Sequence, residues 1–180
     1  MRWDRLFDDL ESQLAAQERL ELDSEVAERT RVERSKVTLT DRLAGSTGAL
    51  VGAHLLGGRR LEGVLVDVGS GWFVLEARSR PTLVVTGAVV SLSGLARRPR
   101  STASARRLTL GYALRGVSRD RRVVHVHDVG GGLTTGTIDG VGADVVDVSE
   151  HPVDVPRRAG DVRSVRVLPL AALAAVADAG

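Results

Sequence analysis

Nine arginines, Arg97, Arg98, Arg100, Arg106, Arg107, Arg115, Arg119, Arg121 and Arg122, crowd into 26 residues in which Asp120 is the sole acid. A guanidinium stays charged and presents a planar fork of donors that matches phosphate oxygens, so such a run can follow a nucleic-acid backbone electrostatically. Arg97, Arg98, Arg100, Arg106, Arg107, Arg119, Arg121 and Arg122 are the candidate nucleic-acid contacts. The competing reading is a solvated linker that complements an acidic segment elsewhere in the chain. Aromatic residues make up only 3% of the sequence, which leaves little for base stacking and points to sequence-tolerant contact.

Other residue types offer weaker chemistry. His125 and His127 alternate along one stretch, and His151 or Glu150 could join them around a divalent metal, but a fourth converging ligand is not evident. His54 and His127 occupy equivalent places in a repeat, which favours a structural slot. Gly130-Gly131-Gly132 resembles a phosphate-cradling loop, yet no lysine, Ser/Thr pair or following helix accompanies it, so a hairpin turn explains it better. Asp139, Asp144, Asp147 and Glu150 follow one another without an apolar pocket to split their pKa values. No nucleophile–base–acid set stands out among the serines. There is no cysteine, which removes disulfides, thiolate metal sites and cysteine nucleophiles. The expectation is a binding protein and not an enzyme, with no metal and no cofactor.

These residues must be positioned by a chain of 180 residues, enough for one ordinary domain or two very small ones. Hydrophobic residues reach 43% and charged residues 27%, which fits a folded core. Lys36 is the only lysine among 25 basic residues. Residues 1–45 carry 8 basic and 11 acidic residues, whereas the remainder carries 17 and 12, an acidic head on a basic body. Acids begin at Asp4 without an apolar run, so no signal peptide is expected, and the longest uncharged stretches are too short and too glycine-rich to span a bilayer. A cytoplasmic protein with no membrane partner is the expectation.

Residues 1–44 lack Gly and Pro and are rich in strong helix formers. Trp3, Phe7, Leu10 and Leu14 step by three or four and draw one apolar stripe. The pattern predicts a helix, or a helical hairpin broken near Leu22 to Ser24, whose stripe docks on the same chain, on a second copy or on another protein. From Gly48 onward short aliphatic runs alternate with glycine turns, the texture of a small barrel or sandwich.

Residues 50–76, moved forward by 73 positions, lie on residues 123–149 without a gap. His54 meets His127, Gly57 and Gly58 meet Gly130 and Gly131, Gly63 meets Gly136, and Gly69 meets Gly142. Glycines coincide at turns and aliphatics at alternate positions, as two copies of one strand–turn–strand–turn–strand unit require. Upstream, Leu39-x-x-x-Leu43-x-Gly45 matches Leu110-x-x-x-Leu114-x-Gly116 and reads as a glycine-stopped helix end before each copy. Downstream, Val84-Val85-Thr86 lines up with Val167-Leu168-Pro169 after about ten extra residues near 151–162, an expected longer hairpin. Residues 97–107, with Pro, Ser, Ala and Arg, read as an exposed linker.

The stretch Gly58-Arg59-Arg60-Leu61-Glu62-Gly63-Val64-Leu65 resembles the first Sm motif, and Gly131-Gly132-Leu133-Thr134-Thr135-Gly136-Thr137-Ile138 is its degenerate echo. The polar loop residues and the Arg-Gly pair of RNA-binding Sm proteins have no counterpart at Gly69-Ser70-Gly71, Gly142-Ala143-Asp144, or near Val84 and Val167. The chain also resembles an actinobacterial family whose members start with a similar Arg-Trp-Asp helix and are loosely labelled regulators. The resemblance implies an α+β, mainly β, fold: an N-terminal helical arm (1–46), a first Sm-like small barrel (47–96), an Arg-rich linker (97–107), and a helix plus second Sm-like barrel (108–180). With the arginine run, the expected function is that of a non-enzymatic binding protein, an RNA- or DNA-associated regulator making electrostatic contacts through the Arg-rich region. The alternative is a protein–protein scaffold, with a protein partner or self-association through the N-terminal stripe.

Overall fold

The structure, a computed structural model, describes residues 28–29, 31–32, 34–96, 100, 107–154 and 162–180. Contacts divide the chain into two compact units, Met1–Thr38 and Leu39–Gly180. In the first, the described residues between 28 and 35 are helical, and Arg31 pairs with Glu28 at 3.0 Å. The stripe residues Trp3, Phe7, Leu10 and Leu14 lie outside the described residues.

In the second unit, strands β1 (Leu50–Leu55), β2 (Arg60–Gly69), β3 (Trp72–Ala77), β4 (Arg80–Val85) and β5 (Val89–Ser93) are followed by β6 (Val123–Asp128), β7 (Leu133–Val141), β8 (Val145–Glu150), β9 (Ser164–Pro169) and β10 (Leu173–Asp178). Helix α1 (Leu39–Ala44) precedes the first five strands and α2 (Leu110–Arg119) the second five. All neighbouring strands pair antiparallel, in the order β5-β1-β2-β3-β4-β10-β6-β7-β8-β9.

The duplication is visible strand by strand. The bounds of β1 and β3 reappear in β6 and β8 at the 73-residue offset. The β2–β3 ladder shifts register between Leu65 and Asp67, and the β7–β8 ladder shifts between the equivalent Ile138 and Gly140. Each shift breaks the regular ladder at the same place in a long strand, the kind of irregularity at which strands bend. Gly63 and Gly136 sit just before these shifts. A Cβ on Gly63 would stand 2.7 Å from the Glu76 carbonyl oxygen, and one on Gly136 would collide with the equivalent carbonyl of Ser149. The repeated glycine is therefore dictated by backbone meeting backbone.

Two separate Sm-like barrels do not form. Among the described residues the ten strands make one continuous open sheet, because β4 of the first copy pairs with β10 of the second through Val84↔Ala175, Leu83↔Val176 and Thr82↔Ala177. Split apart, both strands would leave a row of unpaired backbone donors and acceptors and would uncover Leu83, Val84 and the apolar length of β10. Joining them removes both costs. Most of the expected arm, residues 1–27, lies outside the described residues; the described residues between 28 and 35 are helical, and the second unit has a six-residue and a ten-residue helix. Gly45 follows the end of α1, but Gly116 lies inside α2, so the glycine-stop pattern holds before the first copy alone.

One core runs through both halves, with Leu43, Leu55, Leu65, Phe73 and Val84 from the first joined to Leu114, Val126, Ile138, Val148 and Leu173 from the second. Leu43 and Leu114, matched by sequence, are both fully buried. The halves also meet at their first turns, where Gly57 adopts φ +75° and a Cβ there would lie 2.5 Å from the Gly131 amide nitrogen. Replacing Gly57 by Ala is expected to destabilise the fold by more than about 2 kcal/mol, through left-handed strain added to a backbone clash. Gly87→Ala, where φ is ordinary and the Cβ position is open, is the control and should stay within about 0.5 kcal/mol in urea melts.

Candidate nucleic-acid interface

Helix α2 begins where the first copy grips the connecting chain. The Leu108 carbonyl accepts the Ser70 amide at 2.8 Å and the Trp72 indole N–H at 2.9 Å, and Ser70 bridges to Thr109. Trp72 is buried, and its ring lies where a side chain on Gly69 would otherwise sit. Thr109 then caps the helix, its hydroxyl accepting from the Tyr112 amide. Leu110, Ala113, Leu114 and Val117 recur at helical spacing and face the core. The Ser118 hydroxyl donates to the Ile138 carbonyl at 3.0 Å and holds the other end of the helix on β7.

Opposite that buried face, Tyr112, Arg115 and Arg119 follow at i, i+3 and i+7 and form a single exposed stripe, with Tyr112 56% accessible. Arg107, also exposed, precedes the helix. Among the described residues no carboxylate pairs with Arg107, Arg115 or Arg119; the Arg115 guanidinium makes one long contact, 3.5 Å, to the Gly142 carbonyl. Beneath the helix a cavity of about 350 Å³ is walled by Trp72, Val74, Leu83, Val117 and Val176, with Tyr112 at its lining.

The other candidate arginines have different fates. Arg121, in a turn at φ +53°, pairs with Asp139 at 3.4 Å, and Arg122 pairs with Asp178 at 2.6 Å. Their charges are already met from β7 and β10. Arg100 is exposed, and its amide donates to the Asp41 carbonyl, which places it near α1 and apart from the α2 stripe. Arg97, Arg98 and Arg106 lie outside the described residues. Of the sequence candidates, Arg107 and Arg119 thus stand with Arg115 on or beside α2. Tyr112 was missed by sequence reasoning that counted rings over the whole chain; a helical wheel over 110–119 would have found it.

Several of the histidines and acids make hydrogen bonds or ion pairs within the sheet. His151 is buried between the Thr137 hydroxyl at 2.8 Å and the Pro152 carbonyl at 2.9 Å, and His125 meets the Thr135 hydroxyl at 2.9 Å. Asp139 accepts from Ser149 as well as Arg121. Glu150 accepts from Ser164 and pairs with Arg166, and the Ser164 hydrogen bond, more than the arginine, keeps its pKa below the usual value. Among the described residues no group of three or more His, Asp or Glu could hold a metal ion. The glycine run at 130–132 is a turn: Asp128 accepts from the Gly130 and Gly132 amides at 2.8 and 2.9 Å.

Comparison of the chain with protein-family models and with the curated proteins gives no match. Among the described residues no helix is long and apolar enough to cross a membrane.

His127 sits in the cleft where the two first turns meet, beside Arg59, and desolvation, followed by the charges of Arg59 and His125, pushes its pKa below 6.5. A histidine held neutral in the folded state supports stability above its unfolded value and withdraws that support as pH falls through the lowered folded value. The melting temperature of the wild type is therefore expected to drop more between neutral and mildly acid pH than that of His127→Asn. Equal drops would contradict this placement of the ring.

Proposed function

We propose that the protein is a non-enzymatic, cytoplasmic nucleic-acid-binding protein that contacts RNA or DNA through the exposed face of α2. The observation that carries this reading is the stripe of Tyr112, Arg115 and Arg119, backed by Arg107, in which the cations have no acidic partner among the described residues. Two guanidiniums one helical turn apart can reach successive phosphates, and an exposed ring beside them offers a face on which any base can stack. A single ring with no base-edge readers beside it gives little sequence discrimination. A regulatory role agrees with the similarity of the opening Arg2-Trp3-Asp4 to the actinobacterial proteins labelled as regulators.

Fluorescence anisotropy with random single-stranded RNA and duplex DNA across a salt series tests the reading. Binding is expected at low salt and should weaken steeply as salt rises. Arg115→Ala with Arg119→Ala should reduce the slope of log affinity against log salt by about 1.4 to 1.8, two phosphate contacts' worth. Tyr112→Ala should weaken single-strand binding by about 1–3 kcal/mol and leave that slope unchanged. No binding at low salt, or binding indifferent to both variants, moves the assignment to the protein–protein scaffold.

A further inference from the structure

Helix α2 carries two residues that the energetics of an isolated helix disfavours. Gly116 lies in its interior, where glycine is the poorest helix former after proline. Asp120 is its C-cap, where the negative end of the helix dipole repels a carboxylate. Neither departure serves packing. A Cβ on Gly116 would meet nothing within 4 Å, and Asp120 is exposed with no cation paired to it among the described residues. Both residues line the cavity of about 350 Å³ beneath the helix. Departures from local preference concentrate where a binding site takes precedence over the stability of an element.

Asp67 lines the same cavity from β2, at the register shift of the β2–β3 ladder. The equivalent residue at the matching shift in the second copy is Gly140, so the shift itself does not demand a carboxylate. Asp67 accepts the Val68 amide through Oδ1 at 2.8 Å, and its other oxygen has no hydrogen-bond partner among the described residues. The remaining charges of the lining are Arg122 and Asp178, which pair with each other at 2.6 Å. Two carboxylates, Asp67 and Asp120, are thus left without a cation. The walls between them are apolar, with Val117, Leu83 and Val176 beside Trp72, whose indole N–H is already taken by the Leu108 carbonyl.

We propose that this cavity binds a small organic cation, an amine carried on an aromatic body. The volume is at the small end of ligand sites, which suits one or two rings. The apolar body lies against Trp72, Val117 and Val176, and the ammonium meets Asp67 and Asp120 through charge-assisted hydrogen bonds. Gly116 leaves room for the ligand under the helix. The ligand occupies the sheet-facing side of α2, whereas nucleic acid is assigned to its outer side, so either reading can fail alone.

Calorimetric titration of the full-length protein with phenethylamine should show a single saturable site. The neutral phenethyl alcohol should bind at least about tenfold more weakly, and the anion hydrocinnamate should not compete. Asp67→Asn with Asp120→Asn should weaken amine binding by about tenfold and keep the melting transition, since both side chains are exposed. Gly116→Leu places a branched side chain in the open space. It should abolish binding while the melting temperature holds or rises, leucine being the stronger helix former. Absence of saturable binding at millimolar amine would overturn the proposal. So would equal affinity for the alcohol, or amine binding that survives Gly116→Leu in folded protein. If Gly116→Leu fails to fold, the aspartate pair and the alcohol comparison decide alone.

Discussion

The backbone ladder between β4 and β10 is the constraint on which the rest of this molecule depends. Each half is a five-stranded unit whose second strand shifts register midway, and each half alone would end on a strand with half of its hydrogen bonds unmade. Pairing Thr82, Leu83 and Val84 with Ala177, Val176 and Ala175 answers both shortages at once. It also keeps Leu83, Val84 and Val176 buried, each contributing roughly 1.5–3 kcal/mol by area alone. Ala175, which pairs with strands on both sides, is fully buried.

That junction decides where the exposed chemistry goes. Helix α2 leads into β6, the strand next to β10, and is pinned at its start to the first half through the two hydrogen bonds on the Leu108 carbonyl. It therefore lies over the seam, with Trp72, Leu83 and Val176 lining the cavity beneath it. A helix fixed at both ends on one rigid sheet holds Tyr112, Arg115 and Arg119 in constant relation, which suits binding to a regular polyanion. Arg121 and Arg122 lie beyond the helix end and are neutralised by Asp139 and Asp178, so charge density in the sequence overstates charge available at the surface.

The duplication, the strands and the glycine bends were legible because they depend on local backbone requirements. Gly63 and Gly136 are glycine for a steric reason that leaves a mark at a fixed spacing. The joining of halves was not legible, since nothing within β4 or β10 states which edge it will meet; Val84 reads as a core residue whether its cover is its own barrel or its twin. After the longer hairpin the sequence alignment falls one residue short of the structure, in which Val84 corresponds to Leu168 and not to Val167. The alternation of apolar residues is weak there, because β9 exposes nearly all its side chains. Tyr112 was hidden by composition, since one ring in a chain poor in rings gains weight only from its place on a helix face. Asp178, which neutralises Arg122, lies 56 residues away and carries no sequence sign of that pairing.

Amide hydrogen exchange on the full-length protein tests the central claim, that the two copies form one sheet through β4 and β10, most directly. If they do, the paired amides of Thr82 to Val84 and Ala175 to Ala177 exchange as slowly as those of β3 and β6, through the same global opening. Exchange of the junction amides through a smaller opening, with β3 and β6 still protected, would show that the halves separate and stand as independent units, and would contradict the account.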